Sequence, residues 1–289
     1  MIRLDNVKVT FKDKVALDLG RTIEIQNGER VGIIGSNGAG KTTLLKSILG
    51  LIAYKGNISI DIPVDQIAVH MQQNEYIETV PVKIIIEMVM GCSIKDNDAL
   101  NEMIDFFEFR DCLKKRWKHL SGGQKQRLTL ILVICKNSPI TMFDEVTSGL
   151  DFETRQRLME KLVELYKERQ ATLLITSHYY TELENIATKI LYIDKGHVID
   201  YGSKEELFVK YCGKSAILFS ESAAGRKIAG EYNEIVAPPG QIAIACKDED
   251  EEVQISKKLI FADINYRRSN CDIEIMTLNA KADLKGVER

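Results

Sequence analysis

The sequence predicts an α/β fold, in which short buried strands alternate with helices. Apolar runs of strand length occur at residues 29–34, 140–143, 172–176 and 190–193. Segments with the spacing of amphipathic helices lie between them. Alternation of this kind is typical of a sheet that carries packed helices.

The first predicted element is an N-terminal strand. Val7, Val9 and Phe11 alternate with Lys8 and Thr10, which is the period of two expected for a half-buried strand. We therefore expect the chain to begin with an N-terminal antiparallel β subdomain.

A glycine-rich loop follows the strand at 29–34. The residues after it have helical spacing as far as Leu49, and Gly50 is a suitable C-cap. A loop of this composition between a strand and a helix is a phosphate-binding loop. The predicted binding residues are Gly35, Ser36, Asn37, Gly38, Ala39, Gly40, Lys41, Thr42 and Thr43.

The residue types in this loop suit a triphosphate, whose charge is spread over many oxygens. The glycines let backbone N–H groups converge at the positive end of the following helix. Lys41 adds a point charge for the β- and γ-phosphates, and Thr42 offers a hydroxyl to Mg²⁺. A purely structural glycine-rich turn would explain the glycines but not Lys41 and Thr42.

Residues 74–139 differ from their surroundings, because they are rich in helical patterns and poor in strand signals. We expect them to form an α-helical subdomain inserted into the α/β domain. Towards its end, Ser121-Gly122-Gly123 stands where a helix would begin. The strand at 140–143 follows and ends in the acidic pair Asp144-Glu145.

Three motifs stand in a fixed order along the chain. The phosphate-binding loop comes first, Leu120-Ser121-Gly122-Gly123-Gln124 second and Phe143-Asp144-Glu145 third. With these motifs the chain resembles the ATP-binding subunits of ABC transporters over about residues 1–215. The resemblance implies a P-loop NTPase (RecA-like) core, ATP and Mg²⁺ as cofactors, and ATP hydrolysis as the activity.

The resemblance also assigns roles to residues near strand ends. Asp144 would reach Mg²⁺, directly or through water, and Glu145 would polarise the attacking water as general base. Gln72 would sense Mg²⁺ and that water, although the register also allows Gln73. His178 follows an apolar strand and would donate a hydrogen bond to the γ-phosphate.

Simpler explanations exist for several of these residues. An acidic pair after a strand is often a solvated loop start, Gln72 could be an ordinary polar loop residue, and His178 could be a structural histidine. Phe11 lies near the position where the family places an aromatic residue that stacks on adenine. It also shares a strand face with Val7 and Val9, so core packing is the alternative.

The second motif implies an arrangement of two subunits. In the family, the residues matching Ser121 and Gly123 contact the γ-phosphate held by a partner subunit. Gly122 and Gln124 of the same motif are expected to belong to that nucleotide-binding site. The helix that begins here adds the anion-attracting end of its dipole. Ser148-Gly149-Leu150-Asp151 matches the loop that crosses between subunits. A head-to-tail homodimer or heterodimer of ATP-binding subunits is therefore expected.

Residues 214–289 are predicted to form a small C-terminal α+β domain. Strands are expected at 216–219, 241–246 and 262–266, an acidic run at 248–252 opens a helix, and Ser269 begins a final helix with Asp272 in capping-box position. The ending from Tyr266 to Leu278 resembles the tail of ATP-binding subunits of drug, antibiotic and sodium efflux systems. It departs from that pattern at 269–271, and a packing appendage without specific function is the alternative.

Composition and sequence patterns indicate which partners and which cellular compartment to expect. A net charge of −3 gives no electrostatic reason to expect nucleic acid as a partner. No apolar run approaches the roughly 18–20 residues of a membrane span, and residues 1–5 lack a signal-peptide pattern. The six cysteines form no Cys-x-x-Cys pair, which favours free thiols in a reducing cytosol.

These observations predict an ABC ATP-binding domain at 1–213 and an accessory domain at 214–289. The expected function is to power separate transmembrane permease subunits from the cytoplasmic face of the membrane, with export favoured by the tail. A soluble ABC ATPase acting in translation or DNA repair is the alternative. A regulator without turnover is disfavoured, because Lys41, Asp144, Glu145 and His178 are all present.

Overall fold

The structure is a computed structural model that describes residues 1–71 and 76–287, the last three of these by their backbone alone. The chain divides into two compact units, each with segments from several parts of the sequence. Unit 1 comprises Met1–Val9, Arg21–Arg30 and Thr42–Ser177. Unit 2 comprises Thr10–Gly20, Val31–Lys41 and His178–Arg289.

Within the described residues the chain forms fourteen strands. They are β1 (Ile2–Phe11), β2 (Lys14–Asp18), β3 (Thr22–Ile25), β4 (Arg30–Ile34), β5 (Lys55–Ile60), β6 (Ala68–His70), β7 (Ile140–Asp144), β8 (Thr172–Thr176), β9 (Lys189–Asp194), β10 (His197–Ser203), β11 (Ser215–Ser220), β12 (Glu234–Ile235), β13 (Gln241–Cys246) and β14 (Tyr266–Ser269).

The same described residues form ten α-helices. They are α1 (Lys41–Ile48), α2 (Val82–Met90), α3 (Asp98–Phe106), α4 (Gly122–Cys135), α5 (Phe152–Glu168), α6 (Tyr180–Ile186), α7 (Lys204–Cys212), α8 (Ala223–Ala229), α9 (Glu249–Phe261) and α10 (Ile273–Val287). Short 3₁₀ turns occur at Val64–Gln66, Ile94–Asp96, Arg110–Cys112 and Trp117–His119. None of the helices described is long and apolar enough to cross a membrane.

Unit 1 contains two sets of paired strands. In the first, β1 pairs antiparallel with β3 and β5, and Val7 and Val9 are buried, as the alternating sequence predicted. In the second, β6, β7 and β8 run parallel. Every residue of β7 and β8 is buried, as is usual for parallel strands covered on both faces.

The part of unit 1 described between residues 76 and 139 contains α2, α3 and α4. Helix α2 begins after Pro81 and ends at Gly91, whose φ of +67° forms a left-handed C-cap. Helix α4 begins after Ser121 and is buried from Leu128 to Ile134. Its N-terminal turn therefore projects from a firmly packed helix body.

In unit 2, β4 runs parallel to β9, and β9 pairs antiparallel with β10. Lys195 and Gly196 form the tight turn of this hairpin, with φ of +48° and +86°. Two consecutive left-handed residues fit the two-residue turns that join twisted antiparallel strands. On its other side, β9 lies beside β4, the strand that leads into the phosphate-binding loop.

The C-terminal part of unit 2 has a four-stranded antiparallel sheet in the order β12-β13-β11-β14. The chain order β-α-β-β-α-β with this strand order is the ferredoxin-like arrangement. One face of the sheet packs against α8 and α9 through a buried cluster that includes Ile217, Ile244, Ile255 and Leu259. Residues 214–289 lie in unit 2 together with residues 178–213.

Two predicted elements near the C-terminus are wrong. Residues 262–265 are a turn rather than a strand, because Asp263 adopts φ of +54° and the Ile264 N–H bonds the Leu259 carbonyl at 2.9 Å. This bond closes α9 as a Schellman motif. Ser269 ends β14, and the cap of α10 is Asp272, whose Oδ1 accepts a hydrogen bond from the Ile275 N–H at 2.9 Å.

Helix α10 is held by neighbouring elements of unit 2. Glu184 of α6 accepts a hydrogen bond from the Ile273 N–H at 2.9 Å. Asn279 donates to the Val236 carbonyl at 2.9 Å, and its Oδ1 accepts from the Val236 N–H at 2.9 Å. These bonds attach α10 both to the ferredoxin-like sheet and to the helix that follows His178.

Candidate functional site

The glycine-rich loop of unit 2 has a backbone that only glycine fits at two positions. Gly35 has φ of +152°, and a Cβ there would lie 2.1 Å from the Ile193 carbonyl oxygen. Gly40 has φ of +110°, and a Cβ there would lie 2.9 Å from the Ala16 carbonyl oxygen. Both distances are too short for a side chain. The tight course of this loop therefore explains two of its three glycines.

Lys41 is buried at the start of α1 and points back into the loop. Its Nζ donates hydrogen bonds to the carbonyl oxygens of Gly35 at 2.8 Å and Ser36 at 3.3 Å. The loop is closed by a bond from the Ala39 N–H to the Ser36 carbonyl at 3.0 Å. The Lys41 ammonium is thus held against the backbone of the loop, which adds a positive charge where the loop would bind an anion.

In unit 1, Thr42 contacts the first residue of the acidic pair. The Thr42 hydroxyl donates to Oδ2 of Asp144 at 2.8 Å, and the Thr176 hydroxyl donates to Oδ1 at 2.9 Å. Asp144 is fully buried, so these donors satisfy a carboxylate that water does not reach. A carboxylate and a hydroxyl side by side are the oxygen ligands that Mg²⁺ prefers. The donor set therefore fits that ion.

Glu145 follows Asp144 in an unusual conformation. Its φ is +52°, in the left-handed region that non-glycine residues seldom occupy. Its N–H donates to the Thr176 hydroxyl oxygen at 2.9 Å, and its carbonyl accepts from the Ser148 N–H at 3.0 Å. Such conformations cluster at functional sites and persist only where neighbours fix them.

The second motif forms the N-terminus of α4. The Ser121 Oγ accepts from the Gln124 N–H at 3.3 Å, and the Gln124 Oε1 accepts from the Ser121 N–H at 3.2 Å, which makes a capping box. Ser121, Gly122 and Gly123 are all exposed. The Ser121 hydroxyl keeps its proton for donation, because the cap uses the oxygen only as acceptor.

Asp151 has a local structural task. It is the N-cap of α5, where Oδ1 accepts from the Thr154 N–H at 2.9 Å and Oδ2 accepts from the Thr154 hydroxyl at 2.7 Å. These hydrogen bonds lower the pKa of the Asp151 carboxyl. Its place in the predicted crossing loop is therefore fixed by the helix that it begins.

The other predicted residues belong to different parts of the chain. His178 is exposed and stands two residues beyond the end of β8. Phe11 ends β1 and is 52% exposed, whereas Val7 and Val9 are fully buried. This exposure contradicts the core-packing alternative for Phe11. Gln72, and Gln73 as its alternative, lie outside the described residues.

Two residues with evident roles were missed by the sequence interpretation. Thr176 contacts both members of the acidic pair, as described above. Gln126 of α4 donates from Nε2 to the carbonyl oxygens of Val146 at 2.9 Å and Ser148 at 2.8 Å. A polar residue at the end of an otherwise apolar strand was the available signal for Thr176.

Comparison with known proteins agrees with this geometry. The family model described as ABC transporter matches residues 20–148. The chain is 32% identical over 228 residues to the Nod factor export ATP-binding protein I of Burkholderia lata, covering 73% of this chain and 74% of that protein. It is 29% identical over 231 residues to the thiamine import ATP-binding protein ThiQ of Photorhabdus laumondii, covering 75% of this chain and 97% of that protein.

A third relative is the methionine import ATP-binding protein MetN of Corynebacterium glutamicum. It is 30% identical over 221 residues, which cover 70% of this chain and 60% of that protein. Similarity at this level thus extends to proteins named for export and to proteins named for import.

Solved structures give the same fold. The dimeric structure of MJ0796, a bacterial ABC transporter cassette, matches with a TM-score of 0.62 and 25% identity, over 70% of this chain and 98% of that chain. An ATP-binding subunit of an ABC transporter matches with a TM-score of 0.64 and 21% identity, over 74% and 94%. The α/β fold of the P-loop NTPases is therefore confirmed. This chain belongs to the ATP-binding subunits of ABC transporters, a family of ATPases.

Proposed function

We propose that the chain hydrolyses Mg-ATP in a head-to-tail dimer and thereby powers export through separate membrane subunits. The observation that carries the catalytic part is the contact of Thr42 with Asp144, next to the strained backbone of Glu145. This contact supports the proposal because, within unit 1, it joins the hydroxyl and the carboxylate proposed to hold the metal, beside the proposed base. Export is supported by the tail resemblance and by the 32% identity to a Nod factor export protein.

The residues would act in the following way. Lys41 and the loop N–H groups bind the β- and γ-phosphates. Thr42 and Asp144 would hold Mg²⁺, which neutralises phosphate charge when bound. Glu145 accepts a proton from the attacking water. His178 would donate a hydrogen bond to the γ-phosphate.

Two further roles complete the proposed site. Gln72 would sense the metal and the attacking water, and Phe11 would stack on adenine. The 52% exposure of Phe11 leaves its ring available for that contact.

The second half of each nucleotide-binding site would come from a partner subunit. The exposed turn of α4 offers the Ser121 hydroxyl and the N–H groups of Gly122 and Gly123 to a γ-phosphate. Since both glycines are exposed, and a Cβ on either would meet no atom within 4 Å, a bound nucleotide has room to approach. Closure of the dimer around two ATP molecules would be the step that drives the membrane subunits.

The membrane subunits would dock on α2. This helix buries Ile85 and Ile86 but exposes Ile84, Met88 and Val89 by 41%, 63% and 52%. Exposed apolar groups on one short helix are typical of a protein contact. Docking there would keep the chain at the cytoplasmic face of the membrane, as a peripheral subunit.

Substitutions in α2 test this docking surface. Met88→Glu should abolish copurification with the membrane subunits while leaving ATP turnover of the detached chain unchanged. Ile260→Glu is the matched control, because Ile260 is 64% exposed on α9 of unit 2. Equal copurification of Met88→Glu and the control would contradict docking on α2.

Inside-out membrane vesicles test the direction of transport. Vesicles containing the complex are incubated with ATP and an isotope-labelled extract of small molecules from the host cells. An exporter accumulates label inside them, and the accumulation stops with Glu145→Gln. ATP-driven loss of label from preloaded vesicles, without accumulation, would identify an importer instead.

A further inference from the structure

One side chain ties helix α4 to the segment that follows Glu145. Gln126 lies in the second turn of α4, and its Nε2 bridges the carbonyl oxygens of Val146 at 2.9 Å and Ser148 at 2.8 Å. A side-chain amide nitrogen has two N–H donors, so both are used by this bridge. The segment 146–148 is thereby fastened to the helix that begins with the exposed Ser121.

The fastened segment is the one that fixes the backbone of Glu145. The Ser148 N–H bonds the Glu145 carbonyl at 3.0 Å, while the Ser148 carbonyl accepts from Gln126. On the other side, the Glu145 N–H bonds the Thr176 hydroxyl oxygen. The left-handed conformation of Glu145 is thus held from β8 through Thr176 and from α4 through Gln126.

The surroundings make this link stiff. Val146 is fully buried and Thr147 is 4% exposed, so the segment has little freedom of its own. Helix α4 is packed along its length from Leu128 to Ile134. A displacement of its N-terminal turn therefore carries the amide of Gln126 with it.

We propose that Gln126 is a positioning residue through which one nucleotide site of the dimer prepares the other. This rests on the proposed function, in which the α4 turn binds the nucleotide held by the partner and Glu145 acts on the chain's own nucleotide. When the Ser121 turn binds the partner's γ-phosphate, the hydrogen bonds of Gln126 fix the position of the segment 146–148. That segment in turn orients Glu145 towards its water.

Gln126→Glu tests this link, because it keeps the shape but replaces the N–H donors with oxygens that face two carbonyls. We expect kcat to fall roughly tenfold, the loss of two hydrogen bonds to neutral groups. The Hill coefficient for ATP should fall towards one. Nucleotide affinity of the monomer, and ATP-dependent dimerisation in a Glu145→Gln background, should stay within about twofold, because neither needs the base to be oriented.

Gln156→Glu is the matched control. Gln156 is an exposed glutamine of α5 that bonds Glu160 on the same helix at 3.1 Å. Its turnover and Hill coefficient should equal those of the original chain, and its melting temperature should fall only slightly, because the new carboxylate lies beside Glu160. Gln126→Leu, which removes the donors without adding charge, should reproduce the fall in kcat.

Results that contradict the role of Gln126 differ from those that contradict the proposed function. Full turnover and unchanged Hill coefficient in both Gln126 variants, with Glu145→Gln inactive, would overturn the link and leave the proposed function intact. Joint loss of nucleotide binding, dimerisation and melting temperature would reduce Gln126 to a structural role and overturn the link as well. Normal turnover in Glu145→Gln would instead defeat the proposed function, and the link with it.

Discussion

The hydroxyl of Thr176 donates a 2.9 Å hydrogen bond to the buried carboxylate of Asp144. The two residues are direct partners in the parallel pairing of β7 and β8. The same hydroxyl oxygen accepts a hydrogen bond from the Glu145 N–H. One side chain at the end of a neighbouring strand therefore holds the proposed metal-binding group and the backbone of the proposed base.

Thr176→Val should slow ATP turnover by about tenfold while leaving nucleotide affinity nearly unchanged, because two hydrogen bonds are lost without contact to the phosphate loop. Thr176→Ser keeps the hydroxyl and should retain most of the activity. Steady-state kinetics with a fluorescent-nucleotide titration separates the two effects. Valine and serine variants with equal turnover would show that the hydroxyl does not matter.

Sequence patterns located Asp144 but not Thr176, for a physical reason. An acidic pair after an apolar strand stands out by its charge. Threonine is common in strands because its branched side chain suits them, so a polar residue at the end of β8 is only a weak signal. Only the register of β8 against β7 places its hydroxyl on the carboxylate.

Prediction failed at the C-terminus for a different reason. Asp263 takes the left-handed position after α9 that glycine usually fills. Ile264 therefore packs on the core cluster from a turn, although its apolar side chain suggested a strand. Strands with clear turn signals, such as the hairpin of β9 and β10, were predictable because Gly196 marks the turn.

Lys41→Ala should impair ATP binding, whereas Glu145→Gln should impair ATP hydrolysis. The Lys41 ammonium is held within the phosphate loop, so its removal should weaken ATP binding by roughly tenfold or more, the loss of charge-assisted bonds. Glu145→Gln should preserve binding and slow turnover by roughly a hundredfold to ten-thousandfold, because only water activation is lost. Normal hydrolysis by Glu145→Gln would remove Glu145 from the role of base.

His70 should make the protein less stable in acid. Burial lowers the pKa of His70 from 6.5 to about 4, and its ring lies 6.4 Å from that of Phe143. The unfolded chain binds a proton near pH 6.5, whereas the folded chain resists it until about pH 4. The stabilisation is therefore complete above pH 6.5 and is lost as the pH falls towards 4.

Urea unfolding at pH 7 and pH 5 measures this effect. His70→Gln cannot titrate, so its free energy of unfolding should fall less between these pH values, by about 2 kcal/mol. His197→Gln is the control, because His197 is exposed. An equal pH response of the original chain and His70→Gln would show that His70 is not the responsible group.

A chain that ends at residue 213 tests the predicted domain boundary. We expect it to bind ATP within a few-fold of the full chain, because the phosphate loop lies outside the removed part. Its melting temperature should fall, since α6 loses the bond between Glu184 and Ile273. A chain ending at residue 270 removes α10 alone and should reproduce most of that fall. If the chain that ends at residue 213 is insoluble, the domain boundary does not lie at residue 213.

Mixed dimers test whether the α4 turn acts across subunits. Lys41→Ala protein has two damaged sites as a homodimer, and so does Ser121→Arg protein, whose exposed position receives a bulky cation. If each site combines one subunit's Lys41 with the other's Ser121, the mixture contains dimers with one intact site. If both motifs served the same subunit, no mixture could contain an intact site.

The readout for the mixture is ATP-dependent dimerisation in a Glu145→Gln background, because turnover could require two working sites. Dimer should form in the mixture above the level of either variant alone, as measured by size-exclusion chromatography with light scattering. Ser121→Arg also removes the cap of α4, which costs about 1 kcal/mol, so its melting temperature must first show that it is folded. A folded pair that forms no more dimer when mixed would count against the head-to-tail arrangement, since the intact combination of Lys41 and Ser121 would then be present without effect.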